Sequence, residues 1–352
     1  MHMLADLVEL VIGVDTHKET HTAAVVAAAT GAVIAQATVT ATPAGYQQLL
    51  KLADQRDGRR VWAIESTGGY GAGLTRFLQR HAEQVVELDR PKRAARRHGA
   101  KSDPLDATRA AREALGRDQL AQPRAAGRRA ALSVRLAARR SAVQAASDAQ
   151  RQLHALVVAA PDSLRGRLRG LTTARLVSTC ARLRQRSDWD VETAATVASL
   201  RALARRIQLL DAEIAEHTRA ITVLVRAWRP ELLTRTGVGP IVAAIVLCAW
   251  SHPGRCRSDA AFAMLGGAAP IPASSGQTVR VRLNRSGDRQ LNQALHVIVL
   301  TRLRYDPATR AYAQRRRAQG KTNREIKRCL VRYVARQLFR LLEHQAGSRF
   351  VV

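Results

Sequence analysis

The sequence predicts an α/β domain followed by a chain that is helical almost to its end. Apolar residues recur at period two in the first run, and several more short strand-like runs follow before residue 90. After residue 103 the chain becomes rich in Ala, Arg, Leu and Gln, with few turn signals. Between Leu200 and Leu224 an apolar pattern repeats every seven residues.

The first strand is marked by Val8, Leu10, Ile12 and Val14, which alternate and close at Asp15. THTAAVVAAA and AVIAQATVT give two more strand-like runs, broken near Gly31, so the three form a meander. PAGYQQLLKLADQ then reads as a helix, RRVWAIE as a strand ending at Glu65, GYGAGLTRFLQRHA as a helix and QVVELD as a strand. The order βββαβαβα is that of an α/β sandwich.

From about Asp103 to Trp228 helix dominates, with turn signals near Pro123, Pro161 and Asp188. The heptads place Leu200, Ile207, Ile214 and Ile221 at one core position and Leu203, Leu210, His217 and Leu224 at the other. Such a seam is a coiled coil, within one chain or between chains. His217 reads as a partly solvated core histidine or a register defect rather than a ligand.

After Trp228, Gly237 and Gly239 flank Val238 in LLTRTGVGPIVAAIVLCAW. Two readings stand: a helix-hairpin-helix that opens backbone N–H groups to a DNA phosphate, or an ordinary helix–helix turn. The last helix opens on a capping box, Thr322 with Glu325. Its spacing buries Ile326, Cys329, Leu330, Tyr333 and Val334 and leaves a face of arginine and lysine.

Lysine and arginine number 57 against 28 acidic residues in 352, a formal charge of +29, which points to a polyanionic partner. No apolar run reaches the length that spans a bilayer, so no membrane role is expected. The start carries Asp6 and Glu9 without a basic stretch, and no signal peptide is expected. Cys180, Cys248, Cys256 and Cys329 are scattered without a CxxC pair, which reads as reduced, cytoplasmic and unligated.

The acids carry the chemistry. Asp15 and Glu65 end strands, and where those strands pair both carboxylates emerge at one rim. Asp103 and Asp106, three apart near a helix start, share a face. Four such oxygen donors suit Mg²⁺, which keeps several waters and binds through carboxylates and substrate phosphate. Taken alone, Asp103 before Pro104, with Asp106 next along, reads as an N-terminal cap favoured by the helix dipole with no metal at all, and only the four acids together favour a site. Asp15, closing an apolar strand ahead of Thr16, His17 and Lys18, has no such local task.

The segments IGVDTHK, AIESTGGYG and AKSDPLDA, then TGVGPIVAA, then ASSG before LNRSGDRQLNQAL, resemble in this order the DEDD transposases of the insertion-sequence 110 family, relatives of the Piv DNA invertases. The resemblance covers nearly the whole chain. It implies a RuvC-like, RNase H-type domain over residues 6–118 with Asp15, Glu65, Asp103 and Asp106 as an acidic tetrad holding Mg²⁺. A helical, coiled-coil linker over 119–228 and a mostly helical, serine-bearing transposase domain over 229–346 complete the expected organisation.

Ser-Ser-Gly at 274–276 is by itself a turn, followed by Arg280, Arg282, Arg285 and Arg289. Similar proteins carry a catalytic serine in this segment that becomes linked to DNA. The glycine neighbour favours Ser275, with Ser274 as second choice. The resemblance further implies double-stranded donor and target DNA and a structured guide RNA; the heptads, with two DNA partners to be held together, add a homo-oligomer (dimer or tetramer), and a nucleoid-associated protein of the cytoplasm is expected. Two other readings remain: a RuvC-like, metal-dependent junction-resolving nuclease with no covalent intermediate, and a nucleic-acid-binding scaffold using neither site.

Overall fold

A computed structural model describes residues 3–88, 102–118, 120–273, 281–282, 284 and 286–347. The chain folds as two units, Met1–Ala126 and Gly127–Val352.

The first unit runs β1 (Leu10–Thr16), β2 (Thr20–Ala27), β3 (Val33–Thr40), α1 (Pro43–Asp54), β4 (Arg60–Glu65), α2 (Ala72–Arg80), β5 (Val85–Leu88) and α3 (Asp103–Leu115), the order the sequence predicts. The sheet order is β3-β2-β1-β4-β5, antiparallel from β3 to β1 and parallel from β1 to β5. β1 is therefore central. The alternation of Leu10, Ile12 and Val14 suggests a half-buried strand, yet Val11 between them is fully buried too. Both faces are covered: Ile12, Val14, Trp62 and Ile64 share a core with Leu49 of α1 and Leu78 of α2, while Val11, Val61 and Ala63 share one with Ala110 and Ala111 of α3.

The second unit comprises α4 (Arg128–Ala159), α5 (Asp162–Leu168), α6 (Thr173–Ala181), α7 (Val191–Trp228), α8 (Pro240–Trp250), α9 (Asp259–Leu265), β6 (Ile271–Pro272), β7 (Val281–Arg282), α10 (Arg289–Tyr305), α11 (Pro307–Ala318) and α12 (Asn323–Gly347). The short antiparallel pair β6–β7 interrupts what the sequence reads as helix and loop. The heptads of α7 find their partner in α4 of the same chain. Leu132 shares a core with Ile221 and Val225, and Leu153 shares one with Val197 and Leu200, so the two helices run antiparallel. Leu200, Ile207 and Ile221 are fully buried, whereas Leu203, Leu210, Ile214 and Leu224 are half-buried. His217 is a satisfied core histidine: Arg135 Nη1 of α4 donates to its Nδ1 at 3.0 Å, and Glu213 lies 3.6 Å from its Nε2.

Gly237 has a packing reason independent of DNA. It adopts φ +85°, and a Cβ there would fall 3.0 Å from the Ile298 carbonyl oxygen of α10. The capping box forms as expected: Thr322 N–H donates to Glu325 Oε2 at 2.8 Å and Glu325 N–H to Thr322 Oγ1 at 3.3 Å. Ile326, Leu330 and Val334 are buried, but Tyr333, expected with them, is 55% exposed. The buried arc of α12 centres on Val334 and Leu338, leaving Cys329 half-buried and Tyr333 at its edge, where its ring packs edge-on against Tyr312.

All four cysteines are free, and burial pushes the Cys180 thiol up to about 11. Among the described residues no helix is long and apolar enough to cross a membrane.

Candidate functional site

The parallel register of β1 and β4 pairs Val14 with Ile64, so Asp15 and Glu65 follow one step later at neighbouring strand ends. Strand alternation puts both on the α3 face, in line with Val11, Gly13, Val61 and Ala63. Gly13 lets α3 come close: a Cβ on it would lie 2.0 Å from the Ala107 carbonyl oxygen and 2.5 Å from the Ala111 nitrogen. Gln36 of β3 holds the same helix, its Nε2 donating to Thr108 Oγ1 at 3.1 Å. α3 thereby brings its first turn, with Asp103 and Asp106, to the strand ends.

Asp103 does not cap its helix. Ser102 occupies the N-cap position without a side-chain cap bond, and Asp103 is the first helical residue. Its Oδ2 lies 3.6 Å from His17 Nδ1, which is 3.9 Å from Asp15 Oδ2. Asp15, His17 and Asp103 can each present one donor atom within 4.8 Å of the others. Asp15 is only 16% exposed, while Asp103 and His17 are 46% and 42% exposed, so the cluster is open to solvent on one side. Glu65 and Asp106 fall outside this tight group. Glu65 ends the adjacent strand, and Asp106, one turn along α3 from Asp103, accepts from Arg109 Nη1 at 3.1 Å.

Behind Glu65 the chain turns sharply. Ser66 takes φ +56°, a costly conformation for a residue with a side chain, and its carbonyl accepts from Gly69 N–H at 2.7 Å. Gly71 passes so close that a Cβ would meet Ile64 Cγ2 at 3.0 Å. The STGGYG stretch is thus the turn that ends β4 at its carboxylate.

His17 escapes the sequence reading, although one signal was there: it stands two residues after Asp15, the spacing that keeps side chains on one face of a strand. The donor set suits a divalent cation. Carboxylates fit Mg²⁺, and the imidazole adds a donor that Mn²⁺ accepts more readily.

Ser274, Ser275, Arg280 and Arg285 lie outside the described residues. Downstream, the NRSGD stretch proves structural where described. Asn284 Oδ1 accepts from Ser286 N–H at 2.9 Å, Gly287 fits against the Leu265 carbonyl with φ +100°, and Asp288 caps α10 through Gln290 and Leu291.

Residues 12–160 match a family profile described as transposase, and residues 229–314 match one described as the IS116/IS110/IS902 transposase family. The first span contains all four acids, and the second contains Ser274 and Ser275. The chain is 30% identical over 154 residues to an insertion element IS110 protein of 43.6 kDa from Streptomyces coelicolor; that match covers 44% of this chain and 37% of the relative. It is 25% identical to an insertion element IS900 protein of 42 kDa from Mycobacterium paratuberculosis, over 95% of this chain and 96% of the relative. With two transposase profiles in order along its length, the chain belongs to the insertion-sequence 110 family of transposases.

Proposed function

We propose that this protein cuts and rejoins double-stranded DNA, with Asp15, Glu65, Asp103 and Asp106 as a Mg²⁺ centre and Ser275 as the nucleophile. One observation carries the metal reading: Asp15 and Asp103, 88 positions apart in sequence, hold carboxylates within one ion's reach of each other and of His17. The sheet order, with an antiparallel meander followed by two parallel strands, supports a RuvC-like assignment.

When bound, the ion would supply positive charge against the scissile phosphate. Ser275 Oγ attacks phosphorus, the Oγ–P bond forms as the P–O bond to one DNA strand end breaks, and that strand end leaves as a hydroxyl carrying the proton. A strand-end hydroxyl later attacks the phosphoserine ester, reseals the DNA and restores the serine. The ester keeps the phosphodiester bond energy, so joining needs no nucleotide cofactor. Arg282 and Arg289, which follow the serine in sequence, suit the charge on the phosphorus oxygens. The expected division of labour is 6–118 for metal, 119–228 for spacing and assembly, and 229–346 for the serine. A structured RNA selects donor and target, and copies of the chain act as a dimer or tetramer on DNA in the nucleoid.

Denaturing gels of labelled DNA test the reading. Wild type should give a covalent adduct that Ser275→Ala removes and Ser274→Ala spares. An adduct that survives Ser275→Ala and disappears with Ser274→Ala moves the role back one residue. Metal-dependent cutting with no adduct from wild type would instead establish the junction-resolving nuclease, for which water is the nucleophile.

A further inference from the structure

The second unit contains a cavity of about 690 Å³ between the turn after α9, strand β7, α10 and the first half of α12. Its walls are strongly cationic: Arg282 on β7 and Arg324, Lys327, Arg328 and Arg332 on α12. Among the described residues none of these five is paired with a carboxylate, and the buried Nε of Arg332 has no hydrogen-bond partner. The one acid in the lining, Glu325, is already engaged by the Thr322 backbone and hydroxyl and by Lys321, a further cation of the lining, at 4.0 Å. The rest of the lining mixes apolar Ala268, Pro270, Ile326 and Val331 with polar Asn284, Asn292 and His296.

A solvated basic face needs no cavity, and an apolar core pocket has no use for five unpaired cations. A ligand that is anionic along one edge and elsewhere flat, with hydrogen-bonding groups at its rim, matches the cations and the mixed remainder of the lining. The volume lies in the range of sites that enclose one small molecule. A duplex, whose major groove alone is about 12 Å wide, would lie across such an opening rather than in it.

We infer that this cavity seats one or two unpaired nucleotides of a single-stranded nucleic acid. The phosphates lie against Arg324, Lys327 and Arg328, and the base rests on the apolar side chains of the lining or against a guanidinium plane. DNA and RNA share this chemistry. The site extends the proposed DNA rearrangement to the handling of unpaired strands, but occupancy does not require the acidic centre, so it can be tested with no cutting.

The test is fluorescence anisotropy of the full-length protein with labelled ten-nucleotide single strands, one DNA and one RNA, and with a duplex of the same sequence, in EDTA. The comparison is between a triple variant, Arg324→Ala with Lys327→Ala and Arg328→Ala, and a control triple on the exposed face of α7, Arg205→Ala with Arg206→Ala and Arg219→Ala. Removing three phosphate contacts should flatten the dependence of log K on log salt by about 2 for a single strand, at roughly 0.7 per contact. Single-strand affinity should fall at least tenfold, with duplex affinity changed much less, and the control triple should show no such preference. Whichever of the DNA and RNA strands responds identifies the source of the ligand. Equal losses for single strand and duplex, or the same losses from the control triple, would overturn the inference. If the triple variant misfolds, the exposed Arg328→Ala alone gives the one-charge version, a slope change of about 0.7, and an unchanged slope there overturns it as well.

Discussion

Gly13 of β1 and Ala107 of α3 are in backbone contact, with room for a hydrogen but not a methyl between them: a Cβ on Gly13 would sit 2.0 Å from the Ala107 carbonyl oxygen. This contact sets how near the first turn of α3 comes to Asp15. Gly13→Ala is expected to destabilise the first unit by about 3 kcal/mol, at the upper end for overpacking, because backbone and not a flexible side chain must yield. Metal affinity should fall with it although every carboxylate remains. Urea unfolding and a Mn²⁺ titration check both, and unaltered metal binding would show that α3 does not need this approach.

His17 stands between Asp15 and Asp103 and offers nitrogen where the acids offer oxygen. Since imidazole suits Mn²⁺ better than Mg²⁺, His17→Ala should weaken Mn²⁺ binding about tenfold and Mg²⁺ binding far less. Calorimetric titration with each ion separates the cases. Equal losses would mean that His17 only positions Asp103.

Much of this was legible because it is written in local pattern. The period-two run of β1 and the apolar runs after it located the five strands of the first unit, and the end of β4 at Glu65 was plain, whereas β1 runs one residue past Asp15 to Thr16. What the sequence could not show was depth and partnership. Val11 looked no different from a residue on an exposed edge until β1 proved central, and the heptads of α7 could not name α4 as their partner. Likewise Asp103 taken alone read as a cap, and only together with the other three acids as part of a site. The structure gives the N-cap position to Ser102 and sets His17 across from Asp103, neither of which the residue spacing alone displays. Gly13 carried a usable signal, since glycine inside a strand often marks close backbone approach.

A salt bridge at the start of β4 gives the first unit a pH dependence. Hydrogen bonds from Arg60, with a further one from Trp62 Nε1 at 2.8 Å, hold the Glu83 carboxyl below the usual carboxylate range. A depressed folded value means that its stabilisation is present above about pH 4.5, the unfolded value, and is lost as pH falls through the folded one. Glu83→Gln should therefore cost about 2 kcal/mol at pH 7, and the difference from wild type should shrink below pH 4. Urea melts at a series of pH values check it; a constant difference would assign the loss to packing.

Ile207 is fully buried within the chain, whereas Leu209, two residues on, is 73% exposed. Ile207→Asp should unfold the α4–α7 pair, since an unpaired carboxylate there costs several kcal/mol, of order 3–5. Leu209→Asp should leave circular dichroism unchanged. If α7 also joins copies of the chain, only Leu209→Asp will lower the mass seen by light scattering without loss of helix. An unchanged mass would place assembly elsewhere.

The metal centre is tested most directly by electron paramagnetic resonance titration of the full-length protein with Mn²⁺, comparing wild type with Asp15→Asn and Asp103→Asn. Each variant keeps its shape and removes one negative charge from a cluster whose donor atoms lie within 4.8 Å of one another. Wild type should bind Mn²⁺ at a site that Mg²⁺ displaces, and each substitution should weaken that site at least tenfold, about 1.4 kcal/mol, with circular dichroism and DNA binding retained. Mn²⁺ affinity equal to wild type in either variant would contradict a metal centre built on these two carboxylates.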